Sequence, residues 1–293
     1  MGLARPEMVQ PATVQEAVRA LRERGAVALA GATDLMPAMM RGVKRPRRLV
    51  NLKGIGELAG VRRERGGVRI GALTRVADLL ESTVLAKDWP VLVEVARGFG
   101  SAQIRNLATI GGNLCSAVPS ADFPLPLLAL EARLEIAGPR GRRELALSEF
   151  FLGNEKTALK AGEVLAAIIV PRPAKRSGAA CLKLGVRRAM DLALVGAAAM
   201  VALGPDGRRC RKARIGLGAV APVPMRATAA EGLLEGKQLT DALVAQAAEA
   251  AAGEARPVSD HRASAGYRRE MVEVLTRRAV REAWRRAGEG GGR

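Results

Sequence analysis

Two adjacent glycines within residues 105–122 constrain the possible folds of this chain more than any other feature. They lie in the segment Thr109-Ile110-Gly111-Gly112-Asn113, which we call the second glycine segment. Paired glycines allow a sharp backbone turn and let a ligand approach with no Cβ in the way. Successive exposed N–H groups in such a turn form a concavity suited to a pyrophosphate. The segment therefore predicts an anion-binding loop, although two glycines by themselves are also compatible with a simple hairpin turn.

A related segment lies upstream, and we call residues 28–35 the first glycine loop. It reads Ala28-Leu29-Ala30-Gly31-Ala32-Thr33-Asp34-Leu35. Before it, Thr13-Val14-Gln15-Glu16 has the pattern of a helix capping box, and Gly25 is placed to end that helix. A short buried strand is predicted at 26–30, so the loop is expected at a strand end. Together the two segments predict phosphate-binding loops for one small-molecule cofactor.

Length and composition favour a two-domain or bilobed globular protein. The chain has 293 residues, 48% of them hydrophobic but only 2% aromatic, and a formal net charge of +18. Such a charge suits nucleic acid, an anionic cofactor or an acidic partner. Modules that bind single-stranded nucleic acid usually supply aromatic stacking platforms, and few are available here. Nucleic-acid binding is therefore not expected, but a basic binding protein without redox chemistry remains an alternative.

The three cysteines Cys115, Cys181 and Cys210 are widely separated and lack CxxC spacing. They cannot form a zinc or iron–sulfur site by themselves, and no metal site is expected. Cysteines used this way indicate a reducing compartment, so we predict a cytoplasmic protein. The N-terminus lacks the apolar run of a signal peptide. The longest apolar stretch, residues 192–203, is too short to span a bilayer.

The order of predicted elements favours an α+β protein over a Rossmann fold, because no strand–loop–helix carries GxGxxG followed by an acidic residue. Residues 171–178 are rich in turn-forming and charged residues and predict a domain boundary. A tight turn is expected at 204–207. Strands are predicted at 26–30, 48–52, 68–73, 134–137, 144–147, 164–170, 180–187, 192–203 and 213–220, and helices after Thr13 and at 75–82, 89–98, 124–130, 226–234, 239–252 and 263–286.

Five segments in order resemble one family, the flavoprotein (medium) subunits of the molybdenum hydroxylases. This family includes aerobic carbon monoxide dehydrogenase, bacterial xanthine dehydrogenase and hydroxybenzoyl-CoA reductase. The resemblance covers nearly the whole chain. The matching segments are residues 30–35; residues 105–113 with Asp122; Gly162-Glu163-Val164-Leu165 leading to Val170-Pro171; Leu182-Lys183-Leu184 with Arg187 and Asp191-Leu192-Ala193; and Ser259-Asp260-His261-Arg262 with Tyr267-Arg268.

The resemblance implies a bilobed FAD-binding domain of the vanillyl-alcohol-oxidase (PCMH) type, followed by a smaller α/β C-terminal domain. The FAD-binding domain is expected at 1–175, with subdomains of about 1–53 and 54–175. The C-terminal domain, of the carbon monoxide dehydrogenase flavoprotein type, is expected at 179–286. Residues 287–293 are expected to form a disordered tail.

The resemblance also implies which residues contact FAD. The two glycine segments would hold the pyrophosphate from two sides, Asp122 would contact the ribityl or phosphate region, and Lys183 would lie near the flavin. Thr33 and Thr109 offer hydroxyl donors and Asn113 an amide, which agrees with these roles. The expected cofactor-binding residues are Ala28, Leu29, Ala30, Gly31, Ala32, Thr33, Asp34, Leu35, Phe99, Ala108, Thr109, Gly111, Gly112, Asn113, Asp122, Val164, Leu165 and Lys183.

Three departures from the family pattern refine this expectation. Relatives commonly have a second glycine where this chain has Ala32, so the first turn is expected to differ slightly. Covalent flavin attachment in the wider fold uses His or Cys, and the only histidine is His261, expected to be structural, so non-covalent FAD is expected. No cysteine-rich insert follows Asp122, so no iron–sulfur cluster is expected in this chain.

The function implied is electron transfer within a larger complex, expected to be a dimer of heterotrimers. Molybdopterin would lie on a large partner subunit and two [2Fe–2S] clusters on a small one. Electrons would pass through FAD here to NAD, a quinone or oxygen, and no residue of this chain would be catalytic toward the primary substrate. A stand-alone flavin oxidoreductase is the enzymatic alternative, but no suitable acid or base is evident for it.

Several candidate residues also have purely structural interpretations. Cys115 is interpreted mainly as a packed side chain. Asp122 is also compatible with an N-cap of the helix that follows it, and Lys183 with an ordinary exposed charge on a strand. Arg187 and Asp191 have two interpretations: an ion pair within a loop that covers the flavin, or a catalytic role.

Overall fold

The N-terminal part is built on a small parallel sheet in the order β1-β3-β2. We describe residues 6–187 and 189–289 in a computed structural model of the protein. Thr13 caps the first helix as predicted, accepting the Glu16 N–H at 3.2 Å, while Glu16 accepts from Ala12 N instead of Thr13 N. The elements are β1 (Glu7–Val9), α1 (Val14–Ala20), β2 (Ala26–Leu29), α2 (Leu35–Met40) and β3 (Arg48–Asn51).

A second part contains a five-stranded antiparallel sheet in the order β4-β5-β10-β6-β7. Its central strand is an apolar run buried on both faces. Val164 packs with α1, whereas Leu165 packs with the helices of this part. The elements are β4 (Val61–Glu64), β5 (Gly67–Gly71), α3 (Val76–Leu80), α4 (Thr83–Asp88), α5 (Pro90–Gly98), α6 (Ala102–Arg105), α7 (Ile110–Cys115), α8 (Pro124–Ala129), β6 (Arg133–Gly138), β7 (Gly141–Ala146), β8 (Phe151–Gly153), β9 (Lys156–Thr157) and β10 (Val164–Pro171).

The C-terminal part is a four-stranded antiparallel sheet, in the order β11-β12-β13-β14, covered by three helices. Every residue of β12 is buried, because its sheet is covered on both faces. Residues 195, 197, 199 and 201 pack on the C-terminal helices, and residues 198, 200 and 202 join the core of the second part. The elements are β11 (Ser177–Leu184), β12 (Val195–Leu203), β13 (Cys210–Gly218), β14 (Met225–Arg226), α9 (Thr228–Leu234), α10 (Asp241–Glu254) and α11 (Ala265–Glu289).

This mixed, mainly antiparallel architecture agrees with the predicted α+β class, and the turn at 204–207 is present, closed by Gly207 N donating to Gly204 O at 3.0 Å. Several details differ from the sequence predictions, two of them near the ends of predicted helices. The predicted helix at 75–82 is α3, and a separate helix, α4, follows it. Residues 287–289, expected in a disordered tail, continue α11, and residues 290–293 lie outside the described residues.

Opposite charges join the C-terminal sheet and helices to the rest of the protein. Among the described residues, each ion pair across this boundary takes its carboxylate from residues before 176 and its cation from residues after it. The pairs are Glu94 with Arg286, Asp122 with Lys183, and Glu131 with Lys212, Arg214 and Arg226. None of the described helices combines the length and apolar character needed to cross a membrane.

Candidate cofactor site

The two glycine segments touch each other directly. A Cβ added to Gly31 would lie 2.2 Å from the carbonyl oxygen of Leu107 and 2.9 Å from Cα of Ala108. Backbone atoms cannot move aside as a flexible side chain can, so only glycine permits this approach. The first glycine loop therefore packs against the residues that lead into Thr109, and the predicted proximity of the two segments is observed.

The second glycine segment begins a helix, which corrects its prediction as an open anion-binding loop. Thr109 is the N-cap of α7, and its hydroxyl accepts from Gly112 N at 3.0 Å. The preceding N–H groups, of Ile110 and Gly111, donate to Thr74 O at 3.1 Å and Ala72 O at 2.9 Å. Asn113 N donates to Thr109 O. Since these first-turn N–H groups already have protein acceptors, the segment does not present the free row of donors that its sequence suggested.

The two glycines of this segment serve different purposes. Gly111 is buried, and a Cβ there would lie 2.6 Å from both Cβ and O of Ala72. At Gly112 the corresponding atom would meet only Thr109 Oγ1, at 2.9 Å. Gly111 thus allows α7 to pack on the end of β5, and Gly112 is the glycine of this pair that a ligand could approach.

The first glycine loop retains the free donors that the second lacks. Within the described part of the chain, no group accepts a hydrogen bond from the backbone N–H groups of residues 31–35. Ala32 has φ +63°, a left-handed conformation unusual for a residue with a Cβ. A left-handed residue among successive N–H groups is the geometry of an anion-binding nest. This loop fits a diphosphate better than the second segment does.

Asn113 connects α7 to the segment that carries Asp122. Its Oδ1 accepts from Phe123 N at 3.1 Å, and its backbone carbonyl accepts from Ser116 Oγ at 2.8 Å. The side-chain oxygen thus already accepts one hydrogen bond, and the amide NH2 is the part of Asn113 that can donate to a ligand. The hydrogen bond between Asn113 and Phe123 fixes the position of the neighbouring Asp122 carboxylate relative to α7. Asp122 does not cap α8, because the N-cap position is Phe123 and no side chain caps it.

Asp122 and Lys183 meet across a cleft between the second part and the C-terminal sheet. Asp122 Oδ1 and Lys183 Nζ are 2.7 Å apart. Burial raises the pKa of Asp122, and the ammonium of Lys183 opposes that shift. The cleft has a volume of about 180 Å³ and is lined by Glu94, Val95, Gly98, residues 119–122, Leu125, Cys181, Lys183, Ala193, Gly196 and Gly218. Asp122 and Lys183 thus lie together at the wall of one cavity.

Val164, Leu165 and Phe99 pack in or against the hydrophobic core. Val164 and Leu165, which the family resemblance implies contribute backbone contacts near the flavin ring, are only 3% and 4% exposed on β10. Ala72, against which Gly111 packs, donates its N–H to Ala166 O on the same strand, so these residues support α7. The Phe99 ring packs on the Phe123 ring, with 5.7 Å between centroids.

Four other residues singled out in the sequence lie outside the two glycine segments. Arg187 and Asp191 form an ion pair of 3.6 Å, and Arg187 N also donates to Asp191 Oδ2. Burial raises the pKa of Cys115 to about 12, so this thiol is protonated near neutral pH and is a poor nucleophile. His261 is exposed and precedes α11.

Two glycines of the C-terminal sheet that line the cleft, Gly196 and Gly218, were not predicted from the sequence. The pattern Gly216-Leu217-Gly218 carried a usable signal. Residues two apart on a strand share a face, so this pattern predicts a face without side chains. A face without side chains allows another helix or strand to approach the sheet closely.

Comparison with known proteins identifies the family of the chain. Residues 4–173 match the family of the FAD binding domain in molybdopterin dehydrogenase, and residues 180–283 match the CO dehydrogenase flavoprotein C-terminal domain. These matches define a flavoprotein of the oxidoreductase class. The chain belongs to the FAD-binding medium subunits of the molybdenum hydroxylase family.

Individual relatives support this assignment over the whole chain. The carbon monoxide dehydrogenase medium chain of Hydrogenophaga pseudoflava is 37% identical over 278 residues, covering 94% of this chain and 96% of that one. A putative xanthine dehydrogenase FAD-binding subunit of Escherichia coli is 33% identical, with 94% and 95% covered. A structure of carbon monoxide dehydrogenase from H. pseudoflava matches with a TM-score of 0.93 at 37% identity, covering 98% of this chain and 99% of that one. The predicted family, fold class and cofactor are thereby confirmed.

Proposed function

We propose that this chain is the electron-transfer subunit of a molybdopterin-dependent hydroxylase or dehydrogenase. When bound, FAD supplies the ability to take up electrons from [2Fe–2S] clusters of a partner and pass them to NAD, a quinone or oxygen. The observation that carries the proposal is the direct contact of Gly31 with Leu107 and Ala108, which joins a loop with free N–H donors to the Thr109 cap.

The chain's own residues would divide the work of holding the cofactor. The N–H groups of residues 31–35, with the Thr33 hydroxyl, would bind the diphosphate. The Thr109 hydroxyl, which accepts from Gly112, can still donate its own proton, and Asn113 offers its amide NH2. Lys183 places a cation in the cleft, where it would stabilise negative charge on a reduced ring system. Asp122 holds that ammonium in place at 2.7 Å.

We also propose the division into domains that the sequence suggested, with an FAD-binding domain at 1–175, subdivided near 53, and a C-terminal domain at 179–286. The separate sheets and the two family matches support it. The partners would be a large molybdopterin subunit and a small [2Fe–2S] subunit, assembled as a dimer of heterotrimers. Three free cysteines favour a cytoplasmic location.

The direct test is titration of the purified full chain with FAD. We expect one FAD per chain, seen as protein-bound flavin absorbance after gel filtration, and release of free FAD on acid precipitation because attachment is non-covalent. A chain that retains no flavin contradicts the proposal. Co-purification of the reconstituted chain with its [2Fe–2S] partner subunit, followed by anaerobic reduction of the flavin through that subunit, tests the electron route.

A further inference from the structure

Leu125, at the start of α8, rests on three glycines of the C-terminal sheet. We call Gly196, Gly216 and Gly218 the glycine seat. A Cβ on Gly196 would lie 2.4 Å from Leu125 Cδ2, and one on Gly218 would lie 2.4 Å from Cδ1. A Cβ on Gly216 would lie 2.5 Å from the carbonyl oxygen of Leu125. A Cβ at Gly216 would force the α8 backbone away from the sheet, whereas one at Gly196 or Gly218 would displace the Leu125 side chain.

The register of the sheet explains why the three glycines act together. Gly196 on β12 pairs with Gly218 on β13, and Gly216 lies two residues away on the same face. Lys183 on β11 pairs with Gly196. Lys183, Gly196 and Gly218 therefore form one row across three strands, with Leu125 resting on the two glycines.

The same contact borders the candidate cofactor cleft. Leu125, Gly196 and Gly218 line it together with Asp122 and Lys183. Asp122 is three residues before Leu125 in the chain, and Lys183 is beside Gly196 in the sheet. A change in the depth at which Leu125 sits would therefore move the carboxylate relative to the ammonium, because interiors are close-packed and transmit small displacements.

We propose that Leu125 is a positioning residue for the cofactor. Seated on the three glycines, it sets how closely the C-terminal sheet approaches residues 119–123. It thereby sets the width of the cleft and the position of Lys183 within it. This inference rests on the proposed function, which places the flavin ring system in that cleft, and it adds a residue that itself need not form a polar contact with FAD.

The test is a set of paired substitutions in the full chain. Gly218→Ala pushes Leu125 out of its seat, and we expect FAD to bind ~10-fold more weakly, with a changed visible spectrum and midpoint potential of the bound flavin. Adding Leu125→Ala removes Cγ and both Cδ atoms, the atoms that a Cβ at 218 meets. The double variant should return to within about threefold of wild-type affinity, with the spectrum restored.

Gly216→Ala is the matched control. Its added Cβ meets the backbone oxygen of residue 125, which Leu125→Ala leaves in place. The same second substitution should therefore fail to rescue it. Leu125→Ala alone keeps every backbone contact, and we expect it to weaken FAD binding by leaving the seat unfilled, even if Gly218→Ala does not fold.

The outcomes separate this inference from the function on which it rests. If wild-type protein binds no FAD, the proposed function itself fails. If wild-type protein binds FAD but Gly218→Ala and Leu125→Ala lower only the free energy of unfolding, with affinity, spectrum and potential unchanged, the positioning role is overturned. Equal rescue of the Gly216 and Gly218 variants by Leu125→Ala would also overturn it.

Discussion

The two glycine segments have the same predicted role, but their backbone donors are used differently. In the second segment, the N–H groups of residues 110–113 bond to Thr74 O, Ala72 O and the Thr109 cap. In the first glycine loop, the N–H groups of residues 31–35 find no acceptor among the described residues. Glycine is needed in both, because Gly31 and Gly111 each lie against backbone atoms.

This difference shows that a glycine motif can mark packing as well as ligand binding. Gly31 is required because two loops meet, and Gly111 because a helix meets a strand end. The free donors belong to the first loop. The residues leading into the second segment hold the first loop in position, because Gly31 packs against Leu107 and Ala108. The second segment also offers the side chains of Thr109 and Asn113. The following four predictions test this division of roles, from the largest effect to the smallest.

Gly31→Ala should have the largest effect. Its Cβ would meet a carbonyl oxygen at 2.2 Å, so the two segments must separate. We expect a loss of ~3 kcal/mol in the free energy of unfolding, measured by urea denaturation, and loss of FAD retention. Gly56→Ala is the control, because its Cβ would meet nothing within 4 Å. Wild-type stability in Gly31→Ala would contradict the observed contact.

Gly111→Ala and Gly112→Ala should differ from each other. At Gly111 the new methyl meets Ala72, and we expect a cost of ~2 kcal/mol in the free energy of unfolding. At Gly112 it meets only the Thr109 hydroxyl. Loss of the Thr109 cap lowers the stability, but alanine loses less backbone entropy than glycine when the helix forms. The two effects offset each other, so the free energy of unfolding should change by no more than ~1 kcal/mol. Equal losses in the two variants would show that the glycines are not distinct.

Thr109→Val and Thr33→Val compare the two hydroxyls. Thr109 caps α7, so its loss should cost ~1 kcal/mol of unfolding free energy. Thr33→Val should leave stability nearly unchanged and weaken FAD binding ~10-fold, if its hydroxyl binds the diphosphate. Urea denaturation and fluorescence titration with FAD measure the two quantities. An unchanged FAD affinity in Thr33→Val would remove that residue from the site.

Ala32→Gly should have the smallest effect and be stabilising. The left-handed φ of +63° strains a residue with a Cβ. Glycine removes that strain but increases the entropy of the unfolded chain, which leaves a gain of ~0.5 kcal/mol. Ala30→Gly, two residues away and without a positive φ, should instead destabilise the protein. A lower urea midpoint for Ala32→Gly than for wild type would show that the loop tolerates alanine without strain.

Local patterns were sufficient for much of the fold. The Thr13 cap, the strand before the first glycine loop, the turn at 204–207 and the long C-terminal helix were predicted close to where they occur. The family resemblance likewise came from the order of short motifs along the chain. These features depend on residues a few positions apart, so they can be read without knowing the fold.

The helical start at Ile110 was not predicted, although Thr109 is a favourable N-cap residue three positions before Gly112. The two glycines favoured a turn in isolation. Packing on Ala72 and the distant acceptors Thr74 O and Ala72 O override that preference. The helical propensity of Gly-Gly is low, so the tertiary contact decides its conformation.

The sequence by itself determined that this chain has two glycine segments, an α+β order of elements and the motifs of a molybdenum hydroxylase flavoprotein subunit. Only the tertiary structure decided which segment keeps its N–H donors, which carboxylate faces Lys183, and that Leu125 rests on Gly196, Gly216 and Gly218. The physical reason is that the backbone hydrogen bonds and close contacts are made with residues far away along the chain. A local sequence pattern does not identify those distant residues.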